Sequence, residues 1–293
     1  MKKPKIKKFD YQLAFSRNLG LIGPEEQKKL KKSKVAIAGL GGVGGVHAHT
    51  LTRLGISNFN LADFDTFELP NFNRQVGATI TTLGKPKCEV IEKSIKDINP
   101  TASITSFTDG INEKNIATFL ENIDVVIDGL DFFAVEAREM LYREAYRLNL
   151  PVVGAGPIGF SAILLIFLPG KMTWHEYFAM DLAKNQTDKY VLFGLGNAPK
   201  ATHLPYMDKK YISLDKKIGP SCTAAVQLCG GIIATEIVKL LLSRGKVYAA
   251  PYYHQFDAYK CKYVRGKLRW GNKGLMQRLK FFLFRRFYLS KTQ

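Results

Sequence analysis

Residues 36–45 read AIAGLGGVGG, an apolar run that breaks into glycines. With Lys34 and Val35 the run forms a short buried strand, and GVHAHTLTRLG (45–55) reads as the helix after it, closed by Gly55. Gly39, Gly41 and Gly44 satisfy G-x-G-x-x-G. Glycines there allow a tight turn, and the helix that follows offers its free amides and dipole to a phosphate. An acid, Asp63, follows about 20 residues on, at the end of a second strand (58–65), where it can grip ribose hydroxyls. The glycines alone leave two nucleotides open, a hydride-carrying dinucleotide and ATP.

The rest of the chain alternates in the same manner. Residues 85–100 are an amphipathic helix stopped at Asn99–Pro100, 102–110 a strand and 115–123 a helix. VVIDGLD (125–131) is a strand ending in acids, followed by a helix over 133–149 and strands over 150–159 and 161–170. This predicts an α/β fold, a doubly wound, mostly parallel Rossmann-like sheet with an antiparallel C-terminal extension over 248–270. Ligands of such sheets lie beyond the carboxyl ends of the strands, where Gly39–Gly44, Asp63 and Asp131 all fall. Residues 171–218 read as a long irregular crossover loop, and 219–243 as a buried helix with Ser221 as N-cap.

The +18 net charge is unevenly placed. Residues 1–9 carry +5, 28–34 another +5, and 260–293 carry +11 with no acid, so the body of the fold is near neutral. That layout suits an acidic partner, RNA or an anionic membrane surface, as well as a solubilising lysine coat. The basic start lacks an apolar stretch and is not expected to be a secretory signal. The apolar run 158–170 is too short to span a bilayer. Four cysteines without a CxxC pair fit neither a structural zinc nor a disulfide framework, and point to the cytoplasm. Peripheral membrane association stays compatible with this.

The loop after Asp63, DFDTFELPNFNRQ (63–75), bears on the choice of nucleotide. It carries Asn71, Arg74 and Gln75, and Lys87 follows at a helix start. A dinucleotide keeps its pyrophosphate intact and has little need of such cations. A triphosphate that loses pyrophosphate does need fixed donors. Asp128 and Asp131 follow on a strand end, and a carboxylate at Asp131 can hold a magnesium ion that bridges phosphates. Taken singly, each has a plainer reading: Arg74 in a structural ion pair, Lys87 solvated, Asp131 capping the next helix.

GLGGVG (39–44), DFD (63–65), NFNRQ (71–75), GKPK (84–87) and DGLD (128–131) stand in an order that resembles the ThiF/MoeB/HesA family, relatives of ubiquitin-activating enzymes. Residues 15–35 resemble that family's N-terminal arm, and the likeness runs from about residue 12 to 245. Gly42, the extra central glycine, fits the family's G-x-G-G-x-G form. The resemblance implies ATP- and Mg²⁺-dependent adenylation of a carboxylate. It places Asp63 at the ribose, Asn71 and Arg74 at the phosphates, Lys87 at the phosphate tail and Asp131 at magnesium, with Asp65 and Gln75 among the nucleotide-binding residues. It also implies a homodimer in which Arg17 reaches the γ-phosphate of the partner's site. The carboxylate would belong to a ubiquitin-like protein's C-terminus, a peptide or a small acid. Alternatives are a tRNA-modifying adenylating dehydratase of the same family, an NAD(P)-dependent oxidoreductase and a non-catalytic docking adaptor.

The resemblance also has gaps. Relatives that form a thioester or persulfide carry a crossover-loop cysteine, and residues 171–218 contain none; the paired CxxC zinc motifs are missing too. Cys222, near a helix start, is the thiol whose setting could favour a nucleophile, against a packing role shared with Cys229. His47 and His49 do not share a helix face and read as structural. Trp174, His175 and Tyr177 read as an aromatic anchor for the crossover loop, with an acceptor pocket as the alternative. Three segments result: a basic arm (1–34), an adenylation domain (35–265) and a basic aromatic tail (266–293) containing Phe281, Phe282, Phe284, Arg285, Arg286 and Phe287.

Overall fold

The computed structural model describes residues 8–289. Of the five lysines in the basic run at 1–9 only Lys8 is therefore described, and Lys291 lies outside as well. An arm of α1 (Tyr11–Ala14) and α2 (Pro24–Lys32) leads into β1 (Lys34–Ala38). There follow α3 (Gly42–Arg53), β2 (Asn58–Ala62), α4 (Lys87–Ile98), β3 (Ser103–Phe107), the single turn α5 (Ile116–Phe119), β4 (Val125–Asp128) and α6 (Val135–Arg147). The second half holds β5 (Val152–Ile158), β6 (Ser161–Phe167), α7 (Trp174–Phe178), α8 (Gln186–Asn197), α9 (Thr223–Leu242), β7 (Tyr252–Asp257), β8 (Lys262–Lys267) and α10 (Leu275–Leu289).

All eight strands form one sheet in the order β3-β2-β1-β4-β5-β6-β7-β8. The first five are parallel, and β6, β7 and β8 join antiparallel, as the sequence pattern predicts. Strand alternation divides the core between the two faces. Val35 and Ile37 pack on one side with α3, α4 and α9, while Ala36 and Ala38 pack on the other with α6, α7 and α8. Both faces of β1 are thus covered, which is why its sequence is apolar without a break.

Two sequence expectations need correction. Residues 171–218 are irregular only in part: α7 and α8 form within 171–197 and bury Trp174, Tyr177, Phe178, Tyr190 and Phe193, while 198–218 holds only short turns. Apolar burial, with Thr173 and Asn185 as side-chain N-caps, holds these helices where the pattern looked weak. The N-cap of α9 is Cys222 rather than Ser221, because the extended backbone reaches one residue further. Among the described residues α9 is the helix long and apolar enough to cross a membrane, yet Val226, Cys229, Ile233 and Ile237 are fully buried in this core.

α9 lies close on α3 because Gly230 has no side chain. A Cβ there would sit 2.5 Å from Val46 Cγ1, whereas one on neighbouring Gly231 meets nothing within 4 Å. His47, on the same stretch of α3, is fully buried, and burial lowers its pKa from 6.5 to about 3 against a weaker upward pull from the Ala155 backbone.

Gly230→Ala should therefore destabilise the protein by about 1–3 kcal/mol through overpacking. Gly231→Ala, in open space on the same helix, should stabilise it by up to about 1 kcal/mol, both read by urea denaturation. His47 makes acid costly. Below its ordinary pKa the unfolded chain takes up a proton that the folded chain cannot, so stability present above pH 6.5 is lost as pH falls towards 3. Between about pH 7.5 and about pH 5, His47→Leu should lose ~2 kcal/mol less stability than the wild type.

Candidate active site

The chain winds from β1 outward to β2 and β3, then returns to lay β4 on the other side of β1. That reversal opens a crevice at the carboxyl end of β1, the place where ligands of doubly wound sheets bind. The glycine turn fills its floor. Gly39 has φ +86°, and a Cβ on it would come within 2.5 Å of Gly129 O. A Cβ on Gly44 would collide with Gly39 O, and one on Gly129 would lie 2.6 Å from the same oxygen. Three glycines therefore bring the ends of β1 and β4 and the first turn of α3 into backbone contact. The N-cap of α3, Gly41, has no side-chain capping bond, so the helix start can face a phosphate.

Asp63 flanks the turn on the β2 side. Its Oδ2 accepts the Leu40 amide at 2.6 Å and its Oδ1 accepts the Asp65 amide at 2.8 Å. Burial pushes its pKa up against the pull of Lys87 and of these two amides. Lys87 opens α4 and is itself buried, with its Nζ 2.9 Å from Asp65 Oδ2. Asp65 thus holds the lysine beside Asp63, and backbone bonds from Phe67 and Lys87 to Lys85 and Asp65 fix the pairing.

The 68–75 segment folds over the turn. Asn71 Oδ1 accepts the Glu68 amide at 3.0 Å, which shapes the loop. Arg74 lays its stem across Gly42, with Cγ 3.7 Å from where a Cβ would stand, and donates from Nη1 to Pro70 O and Asn73 Oδ1. Gln75 is buried beside Gly41, and its Oε1 has no hydrogen-bond partner among the described residues.

On the β4 side the two acids separate in function. Asp128 is buried and accepts from Arg138 Nε at 2.7 Å, from Tyr142 OH at 3.1 Å and from the Leu130 amide. Arg138 also donates from Nη2 to Leu130 O and Asp131 O, while Phe193 of α8 stacks on its guanidinium at 4.4 Å. This network, legible in sequence only as a lone acid on a strand, fixes the backbone that presents Asp131. Asp131 is exposed at the crevice, with Oδ1 accepting the Phe133 amide at 2.9 Å. Among the described residues no three His, Cys, Asp or Glu side chains group as a metal site. A cation at Asp131 would take this one carboxylate together with phosphate oxygens and water, a donor set that suits magnesium.

Other predicted residues lie outside the crevice. Arg17 is exposed on the arm. The arm is tied to the opposite end of α3: Tyr11 OH donates to Gly55 O, and Asn18 and Gln27 donate to Leu54 O. Cys222 stands on the rim, half-buried, with its thiol 3.5 Å from Gly159 O; Asn73 donates to the adjacent Ser221 O. Cys229 is buried, and desolvation raises its thiol pKa. Trp174 and Tyr177 belong to a buried aromatic cluster with Tyr142, Phe167 and Phe193, and His175 pairs with Glu139 outside it. That is the anchoring role, and the acceptor-pocket alternative is set aside. His49 bonds Ser94.

The ThiF family model matches residues 15–273. This chain belongs to the ThiF family. It is 32% identical over 158 residues to a molybdopterin-synthase adenylyltransferase of Haemophilus influenzae, covering 53% of this chain and 64% of that protein. It is 34% identical over 142 residues to a tRNA threonylcarbamoyladenosine dehydratase of Bacillus subtilis, covering 48% and 55%. The chain thus spans less than two thirds of the length of these curated relatives. Its fold is shared with PaaA (TM-score 0.66, 18% identity, 91% of this chain and 76% of that one). It is also shared with Escherichia coli MccB solved with ATP (TM-score 0.61, 21% identity, 83% and 66%).

Arg138→Met should destabilise the protein by about 3–5 kcal/mol, because it leaves Asp128 buried without its cation. Adding Asp128→Asn should recover a substantial part of that loss. Guanidinium denaturation of the two single variants and the double variant measures the coupling.

Proposed function

We propose that this ThiF-family chain is an ATP-dependent adenylyltransferase that activates a carboxylate as an acyl-adenylate and releases pyrophosphate. The observation that carries this reading is the convergence of two cations on a phosphate-binding turn: Arg74 across Gly42, and buried Lys87 held beside Asp63. Names of relatives support it, since several are adenylyltransferases.

In this reading Asp63 accepts from the ribose hydroxyls, and the turn Gly39–Gly44 with the start of α3 receives the phosphates. Arg74, Asn71 and Gln75 line the phosphate side. Lys87 shifts part of its bonding from Asp65 to the leaving phosphates. The substrate carboxylate attacks the α-phosphorus, the bond to the β-phosphate bridging oxygen breaks, and pyrophosphate leaves with that electron pair. Arg74 and Lys87 offset the charge that gathers on those oxygens. No general base is required, because a carboxylic acid is already ionised near neutrality. A magnesium ion held at Asp131 would neutralise triphosphate charge. Arg17 acts in trans in a homodimer, since the arm holds it by the far end of its own α3, about 18 Å of helix from the turn.

The acceptor is a carboxylate-bearing protein, peptide or small acid in the cytoplasm. We assign Cys222 no covalent step, given its engagement with Gly159 O. A second reading, a tRNA-modifying adenylating dehydratase, draws on the Bacillus subtilis relative and on the chain's basic segments.

Pyrophosphate–ATP exchange with a panel of carboxylates tests the proposal. Exchange should appear with one acid, fall at least ~100-fold in Asp131→Asn and in Arg74→Ala, and persist in Cys222→Ser. Exchange that needs tRNA would favour the dehydratase. Tight NADH binding without ATP binding would overturn the proposal in favour of an oxidoreductase.

A further inference from the structure

The helix α10 has two unlike faces. One is fastened to the body: Gln277 Nε2 donates to Leu195 O, Lys280 Nζ to Pro199 O, and Arg285 lies 3.3 Å from Asp188. The opposite face carries Leu275, Met276, Leu279, Phe282 and Leu283 at helical spacing, exposed by 87, 64, 50, 59 and 42%. Trp270, 65% exposed, stands just before the helix, with the Arg269 guanidinium 5.5 Å from its ring. Arg278 and Arg286 are exposed on the helix itself. Scattered apolar side chains are normal on a protein surface, but a stripe of this length is not.

We propose that this face docks the protein on an anionic lipid surface, with α10 lying in the plane of the interface. The proposal is independent of which acid the enzyme activates. Charge complementarity selects the occupant: residues 260–293 hold eleven basic side chains and no acid, and although Lys273 and Arg285 pair with Asp181 and Asp188, Arg269, Arg278 and Arg286 are exposed at the apolar face. A second copy of the chain would have to bring this basic patch against itself in a two-fold interface, which like charge opposes. RNA would meet the cations and could stack on Trp270 and Phe282, but it would leave Leu275, Met276, Leu279 and Leu283 in water. A bilayer with anionic headgroups satisfies both sets of side chains, the apolar ones in the acyl boundary and the arginines at the phosphates. At fifteen residues, about 22 Å, the helix is too short to span about 30 Å of hydrocarbon, and its other face is already committed to α8. It therefore lies on the membrane.

The full chain is sedimented with vesicles of phosphatidylcholine alone and of phosphatidylcholine containing phosphatidylglycerol. It should pellet with the second, and added salt should weaken binding. Trp270 emission should shift to the blue on binding, since Trp174 is already buried. Leu279→Asp/Phe282→Asp should lower vesicle affinity at least about tenfold. Arg278→Gln/Arg286→Gln should lower it by about tenfold or more on the anionic vesicles. Both variants should retain the wild-type melting temperature and pyrophosphate exchange. Wild-type protein that stays in solution with anionic vesicles, or an aspartate variant that pellets as well as wild type, overturns the proposal. If the aspartate variant instead loses dimer mass or tRNA retention while wild type ignores vesicles, the face belongs to a second copy or to RNA.

Discussion

The backbone contact among Gly39, Gly44 and Gly129 is the constraint on which the site depends. It brings the ends of two neighbouring parallel strands and the first turn of a helix closer than any side chain would allow. Once that approach is made, the free amides of α3, the Asp63 carboxylate and the exposed Asp131 all border one crevice, because each follows the carboxyl end of its own strand. The contact is purely steric, and any of the three positions could break it with a single methyl group. Hydrogen bonds from the Gly39 amide to Ala62 O and from the Gly129 amide to Ala38 O extend the sheet into the turn and hold it rigid.

Charge is layered around that floor. Cations on the β2 side, Arg74 and Lys87, hang from a loop and a helix start and can redistribute their bonds. On the β4 side Arg138 is buried, with Nε and Nη2 hydrogen-bonded, and lies between Asp128 and Phe193. The first pair is suited to meet an incoming anion, and the second to keep a strand end in place. Phe193 belongs to the crossover segment, so that segment reaches the crevice through an arginine that faces inward.

The residues around the crevice were legible in the sequence because their chemistry is local: glycines at fixed offsets, acids at strand ends, cations in a loop and at the helix start that follows it. The parallel sheet with its antiparallel edge was legible for a similar reason, since apolar runs and amphipathic stretches alternated clearly. Gly129 could not be read as part of the turn, because its partner oxygen lies about ninety residues away in the chain and proximity alone gives it meaning. Arg138 looked like one more charge on an amphipathic helix. In α8, Gly194 and Gly196 interrupt the helical signal, and tertiary burial of Tyr190, Leu192 and Phe193 overrides their low propensity. The arm illustrates the same limit: its family likeness was readable, its anchorage to α3 was not.

That anchorage has a consequence for how the sequence can drift. The carbonyls of Leu54 and Gly55, just past the end of α3, accept from Tyr11, Asn18 and Gln27, and a Cβ on Gly55 would strike Tyr11 Oη and Gln27 Nε2. Four positions spread over 45 residues thus share one small volume. A change at any of them is tolerated only if the others move with it. In descendants of this chain they should vary as a set, and an arm borrowed from a cousin would seat only if it brought its own helix end along.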